Sequence, residues 1–122
     1  MKLNLLILNL IIIASCTKEL KYTKEQLYDR AKAADASTTF IMPKSISEGV
    51  HCADYPEGCI SAHTVQVRKL NFIGVEFATE EQAKFAAKKK RGYYVRNWLL
   101  DDVTGEPTLE EFVVKSLEAK KP

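Results

Sequence analysis

The sequence predicts a small α+β domain, a two-layer fold with a sheet of three or four strands and helices mainly on one face. Three segments have the residues that begin a helix, and β-branched and aromatic segments lie between them. The 122 residues are enough for one compact core and too few for two. We therefore assign residues 23–122 to a single domain.

Each predicted helix begins at a threonine that is followed three residues later by Glu or Gln. These capping boxes start at Thr23, Thr79 and Thr108, and in each the two side chains satisfy free amide groups of the first turn. They predict helices over about residues 24–34 and 80–91, and a third helix with apolar residues at i, i+3, i+4, i+7 and i+8 spacing. Its face consists of Leu109, Phe112, Val113, Ser116 and Leu117.

The strands are predicted from short runs of β-branched and aromatic residues. Pro43 ends the first run, because proline cannot donate to a sheet ladder. Residues 68–71 are either a turn or the middle of one long strand. The predicted strands are 38–42, 64–67, 72–78 and 93–100.

The segment 72–100 reads as strand, helix, strand with short connections. This order predicts a right-handed crossover and a parallel pair of strands. Gly92 follows the helix and is suited to be its C′ residue.

Residues 72–83 resemble the third strand and second helix of an RNA-recognition-motif domain. Phe72 and Phe77 match two aromatic positions of that family's strand pattern, whereas Asn71 and Gly74 stand where it has a glycine and a stacking aromatic residue. The resemblance implies a ferredoxin-like β-α unit. Because fold likeness does not transfer function, we expect no nucleic-acid partner.

The first residues have the anatomy of a bacterial export signal. Lys2 is followed by an uncharged stretch over residues 3–14, which is shorter than the roughly 17 to 25 residues that span a bilayer. Two small residues then precede Cys16. The run Ile13-Ala14-Ser15-Cys16 resembles the lipobox of bacterial lipoproteins.

The lipobox resemblance implies where the protein resides. In that family the cysteine thiol receives a diacylglycerol, the signal is removed, and the new amino group is acylated with a fatty acid such as palmitate. Residues 1–15 would be the signal peptide and 16–22 the lipidated N-terminus and short tether. Because Thr17 rather than Asp follows Cys16, the family pattern implies an exported protein on the outer membrane, facing the periplasm.

The remaining composition gives no argument for nucleic acid or another polyanion as the main partner. Without residues 1–15 the chain keeps 17 basic and 16 acidic side chains, a formal net charge of +1. No phosphate-binding glycine loop or nucleophile elbow is present in the sequence. We expect no catalytic residues and no cofactor, with the membrane and an unknown protein or cell-wall component as partners.

Three cysteines are present. Lipidation of Cys16 would leave Cys52 and Cys59, separated by a loop in which Pro56 and Gly58 favour a turn. A disulfide is the expected state of this pair in an exported, oxidising compartment.

The alternative for the same region is a metal site or a reactive thiol. His51, Cys52, Cys59 and His63 are four side chains that bind soft metals, although zinc ligands usually come as spaced pairs, and His51 and Cys52 are adjacent. A free thiol near His63 would be a candidate nucleophile. The alternative function is therefore a small envelope enzyme or a metal carrier.

The candidate binding surface combines basic and aromatic side chains, among which Tyr, Trp and Arg are residue types enriched at binding hot spots. In one strand over 93–100, Tyr94, Arg96 and Trp98 would share a face and could contact lipid headgroups, an envelope polysaccharide or an acidic protein. The alternatives are a solvated last helical turn and a tryptophan in the core. The full set is Lys88, Lys89, Lys90, Arg91, Tyr94, Arg96 and Trp98. We accordingly expect a non-enzymatic interaction module anchored in the envelope.

Overall fold

Five strands and three α-helices account for most of residues 20–45, 47 and 49–122, which the computed structural model describes. The predicted signal peptide, the lipobox and most of the tether lie outside the described residues. The helices are α1 (Lys24–Ala34), α2 (Glu80–Lys90) and α3 (Pro107–Glu111), and α3 continues as a π-helical turn over Phe112–Ser116. The strands are β1 (Thr39–Ile41), β2 (Cys59–Val67), β3 (Leu70–Phe77), β4 (Tyr93–Val95) and β5 (Trp98–Asp101).

All neighbouring strands pair antiparallel, in the order β1-β2-β3-β5-β4. The predicted α+β class is confirmed, and the sheet has five strands where three or four were expected. The predicted parallel pair is wrong. β3 and β4 run in the same direction, but β5 lies between them because the chain turns back after β4.

A tight turn at Arg96 and Asn97 divides the segment 93–100 into two strands. Arg96 has a φ of 50°, in the left-handed region, and β4 and β5 form a hairpin on either side of it. The backbone amide of Phe77 donates to the Asn97 carbonyl at 2.8 Å, and the Asn97 side-chain amide donates to the Phe77 carbonyl at 3.2 Å. These bonds hold the turn against the end of β3.

A second turn, at Arg68 and Lys69, joins β2 to β3. The sequence left open whether residues 68–71 form a turn or the middle of one long strand, and the structure shows the turn. Arg68 and Lys69 have φ values of 50° and 69°, as the primed hairpin turns require. Arg68 Nε donates to Asp35 Oδ2 at 2.6 Å, which ties the turn to the end of α1. Hydrogen bonds from Ser37 and from Arg68 lower the pKa of Asp35 to about 2.

Helices cover both faces of the sheet, so the fold has three layers rather than two. Successive residues of β5 show the division, since side chains alternate between faces along a strand. Trp98 and Leu100 pack with α1, α3 and the π-helical turn, whereas Leu99 packs with α2. The helical residues of the first cluster are Leu27, Ala31, Leu109, Phe112, Val113 and Leu117, and those of the second are Ala83, Ala86 and Ala87.

Two of the three predicted capping boxes are confirmed. Thr23 and Thr79 each accept a hydrogen bond from the amide three residues later, and the glutamine there accepts from the threonine amide. The box at Thr108 is wrong, because α3 begins with Pro107 as its first residue and Glu106 as its N-cap. Within the described part of the chain, no helix is both long and apolar enough to cross a bilayer.

Candidate functional site

The predicted basic and aromatic set does not form one exposed surface. Residues 88–91 are exposed at the end of α2, as expected for a last helical turn. Trp98 is 0% exposed and Tyr94 is 7% exposed. The two aromatic side chains also pack in different clusters, on opposite faces of the sheet, because the turn after β4 shifts the alternation. This part of the prediction is wrong.

Arg96 is also separated from the basic end of α2. Arg91 precedes β4 and Arg96 follows it, so the two lie at opposite ends of that strand. The Arg96 guanidinium stacks on the ring of Tyr22, 4.0 Å from its centroid. Its contact is with the first described residues of the chain and not with the lysines of α2.

Trp98 and Asn97 hold the entry of the chain into the domain. The Tyr22 amide donates to Asn97 Oδ1 at 2.8 Å, and the Trp98 indole donates to the Tyr22 carbonyl at 2.9 Å. Both backbone groups of Tyr22 are therefore bound to buried side chains. This clamp on Tyr22 fixes where the N-terminal segment leaves the sheet.

The predicted disulfide is confirmed, since Cys52 and Cys59 are joined with a sequence separation of 7. Closing so short a loop stabilises a fold by about 2 to 3 kcal/mol in the chain-entropy account. The bond occupies both thiols of the metal alternative, and leaves His51 exposed and His63 half-buried on β2. Among the residues that the structure describes, no group of three or more His, Cys, Asp or Glu could hold a metal ion.

A cleft lies beside β2 at the point where β1 ends. β1 pairs with β2 only opposite residues 64–66, and Pro43 prevents the ladder from continuing because it has no amide hydrogen. Residues 59 and 61–63 of β2 pair with β3, with a shift of register at Ile60, and no other described strand pairs with residues 59–63 on the β1 side. Met42, Pro43, Gly49 and Val50 line the cleft on the other side from this edge, and none of them belongs to a strand.

The cleft has apolar walls and two basic groups. Phe40, Met42 and Val50 supply apolar surface, and Lys24 and His63 supply the basic groups. Its volume of about 250 Å³ is below the roughly 300 to 1,000 Å³ of pockets that hold drug-sized ligands. The cleft suits two or three side chains better than a large cofactor.

A row of rings runs from α1 to β5, and its two middle members, Phe40 and His63, line the cleft. The ring centroids of Tyr28 and Phe40 are 5.1 Å apart, those of Phe40 and His63 are 5.5 Å apart, and those of His63 and Trp98 are 6.2 Å apart. Lys24 Nζ lies 5.8 Å from the Phe40 centroid. The row supplies a stiff, partly exposed apolar surface beside a cation.

His63 is held by a hydrogen-bonded chain on the same face. Its Nε2 lies 3.0 Å from Ser61 Oγ, and the Ser61 hydroxyl donates to Glu76 Oε1 at 3.1 Å. Burial, and then the charge of Lys24, lower the pKa of His63. Because the serine proton points to Glu76, Nε2 carries the hydrogen in this bond. This polarity is opposite to that of a serine nucleophile activated by histidine.

The sequence marks His63 only as a candidate metal ligand or as a base beside a free thiol, and no sequence pattern indicates the cleft around it. Lys24 and Phe40 belong to other elements, and their approach to His63 depends on the pairing of β1 with β2. Pro43 signals only the end of β1. No known protein family, curated protein or solved structure matches this chain.

Proposed function

We propose that this chain is an exported bacterial lipoprotein that acts as a non-enzymatic binding module, anchored in the membrane through Cys16 and facing the periplasm from the outer membrane. The lipobox-like run that ends at Cys16 and the threonine that follows it are the basis for the anchor and its location. Two or more acyl chains are needed for stable attachment to a bilayer, and a lipoprotein N-terminus supplies three.

The clamp on Tyr22 is the structural observation that supports this function. Six residue steps separate Cys16 from Tyr22, and a fully extended chain advances at most about 3.6 Å per step. The clamped residue would therefore lie within about 22 Å of the lipidated cysteine. A tether of this length would keep the domain close to the membrane surface.

The groups in the cleft favour binding over catalysis. They provide a cation, an imidazole, aromatic faces and a strand edge with which no described strand pairs. The enzyme or metal-carrier alternative needs free thiols, and the disulfide between Cys52 and Cys59 removes both. A binding module therefore has more support than that alternative.

Metabolic labelling with an alkynyl fatty acid tests the anchor. The wild-type chain should incorporate the label and fractionate with the outer membrane. Cys16→Ser should lose the label and keep residues 1–15, because the thiol is the acceptor of the diacylglycerol. The double variant Cys52→Ser/Cys59→Ser is the control and should still be labelled. Label on the Cys16→Ser chain would contradict the proposal.

A further inference from the structure

The two edges of the sheet differ. At the β4 edge, Tyr94 and Lys120 exchange both backbone hydrogen bonds, at 2.9 and 2.8 Å, so the C-terminal segment covers that edge. At the opposite edge, residues 59–63 of β2 extend past the end of β1 without a described strand beside them. An edge of this kind binds extended polypeptide by adding a strand.

Exposed apolar side chains flank this edge. Met42 is 80% exposed, Ile60 is 58% exposed and Ile41 is 37% exposed. With Phe40 and Val50 in the cleft wall, they offer apolar contacts to alternate side chains of an added strand. A partner with apolar side chains fits this surface better than a polysaccharide does.

The positive charge of Lys24 in the cleft favours a ligand that carries a carboxylate. Lys24 has no ion pair with any described residue, and its ammonium group lies over the Phe40 ring. None of the described lining residues of the cleft is acidic. A carboxylate at this end would find a cation with no competing ion pair among the described residues.

We propose that the cleft binds the carboxyl-terminal end of an extended, apolar polypeptide partner. The partner backbone adds to the free edge of β2, its last side chains enter the cleft, and its terminal carboxylate pairs with Lys24. This inference rests on the proposed function, for which it names the class of partner.

Fluorescence anisotropy tests the proposal with the full-length chain in detergent micelles. The probes are N-terminally labelled hexapeptides of alternating Thr and Val that end in Val, one with a free carboxylate and one with a carboxyl-terminal amide. The free acid should bind, and the amide should bind about tenfold more weakly because it lacks the charge. Lys24→Gln should remove the difference between the two peptides, and Lys24→Arg should retain it.

Lys88→Gln is the control, because Lys88 is also a helix lysine but lies exposed on α2, whereas Lys24 is half-buried on α1. It should leave both affinities unchanged. In NMR spectra, the backbone amides of residues 60–64 should shift when the free-acid peptide binds. Equal affinity for acid and amide, no binding of either peptide at millimolar concentration, or shifts confined to other residues would each overturn the proposal.

A second copy of the chain is the competing occupant of the edge. A concentration-dependent dimer that protects the amides of 60–64, and that the free-acid peptide does not dissociate, would overturn the proposal in favour of self-association. Peptide binding and fatty-acid labelling are measured separately. Loss of the label would contradict only the anchor, and loss of peptide binding would contradict only the partner class.

Discussion

The Asn97 side chain binds backbone groups of two different segments. It is 2% exposed, accepts from the Tyr22 amide and donates to the Phe77 carbonyl. A buried backbone group that loses its partner costs about 1 to 3 kcal/mol. Asn97 thus stabilises the β4–β5 turn and the clamp on Tyr22 together.

Gly92 gives the first prediction, because a Cβ there would lie 2.8 Å from the carbonyl oxygen of Leu100 and 3.1 Å from Leu99 Cδ1. Gly92→Ala should lower the free energy of unfolding by about 1 to 3 kcal/mol, measured by urea denaturation. Gly74→Ala is the control, since its added Cβ would meet Trp98 at 3.5 Å, an ordinary contact. It should leave stability unchanged or raise it by up to about 1 kcal/mol. Equal effects of the two substitutions would refute this explanation.

The sequence predicts Gly92 as the left-handed C′ residue of α2, but Arg91 takes that conformation, with a φ of 55°. Gly92 is required because β5 passes close to it, and that approach depends on the pairing of Tyr93 with Leu100. No local pattern in the sequence contains this pairing.

The second prediction concerns His63 and pH. Burial and Lys24 lower its pKa in the folded state, so below about pH 6.5 the unfolded chain binds the proton more readily than the folded one. Stability should therefore fall as the pH drops from 7 to 5, with no contribution from His63 above that window. Lys24 from α1 and Glu76, through Ser61, are the charged groups that face the ring.

Thermal unfolding of two variants between pH 7 and pH 5 measures this effect. His63→Gln keeps a hydrogen-bond donor near Ser61 and should show a shallower loss of stability than the wild type. His51→Gln changes the other, exposed histidine and should keep the wild-type slope. The explanation fails if His63→Gln has the wild-type slope as well.

The third prediction concerns the helix ends and compares two threonines with the same sequence pattern. Thr79 caps α2 through its hydroxyl, so Thr79→Ala should lower the free energy of unfolding by about 1 kcal/mol. Thr108 lies inside α3 and Glu106 provides the cap, so Thr108→Ala should cost less than about 0.5 kcal/mol. Urea denaturation measures both, and a larger loss for Thr108→Ala would show that the capping assignment is wrong.

The helices were predictable and the sheet order was not, for a physical reason. Capping and i, i+4 periodicity are interactions within a few residues, and they placed α1 and α2 within one residue of their observed ends. The position of β5 between β3 and β4 depends on a turn at Arg96, a residue type that rarely takes a positive φ. Alternation alone made 93–100 one strand, and that error also placed Trp98 on the surface.

The candidate site is a property of the whole molecule, which limits what the sequence could reveal about it. Lys24, Phe40 and His63 come from α1, β1 and β2, and only the sheet register brings them together. The disulfide was predictable because its two cysteines lie on one short loop with turn residues. The basic run 88–91 was equally visible, but it lies at the other end of the fold from Tyr22.

Tyr22 and the basic run 88–91 lie near opposite ends of α2. Glu80, at the start of α2, lines the same cavity as Tyr22 and Arg96, whereas residues 88–91 lie at the end of that helix. α2 has 11 residues and is therefore about 16 Å long. If Cys16 is lipidated, the end with Tyr22 lies near the membrane and the basic end of α2 points away from it.

The fourth prediction is that the lipidated protein has this orientation on a bilayer. Paramagnetic relaxation from gadolinium-carrying lipids, measured on backbone amides of the protein in nanodiscs, should be strong for residues 20–22 and for Arg96 and weak for residues 88–91. The tether of six residue steps and the clamp on Tyr22 allow the first set to approach the headgroups, and the length of α2 keeps the second set away. Cys16→Ser mixed with the same gadolinium-carrying nanodiscs is the control and should show no such gradient, because it lacks the lipid anchor. Stronger relaxation at 88–91 than at 20–22 would mean that the basic end of α2 faces the headgroups and that the clamp does not orient the domain.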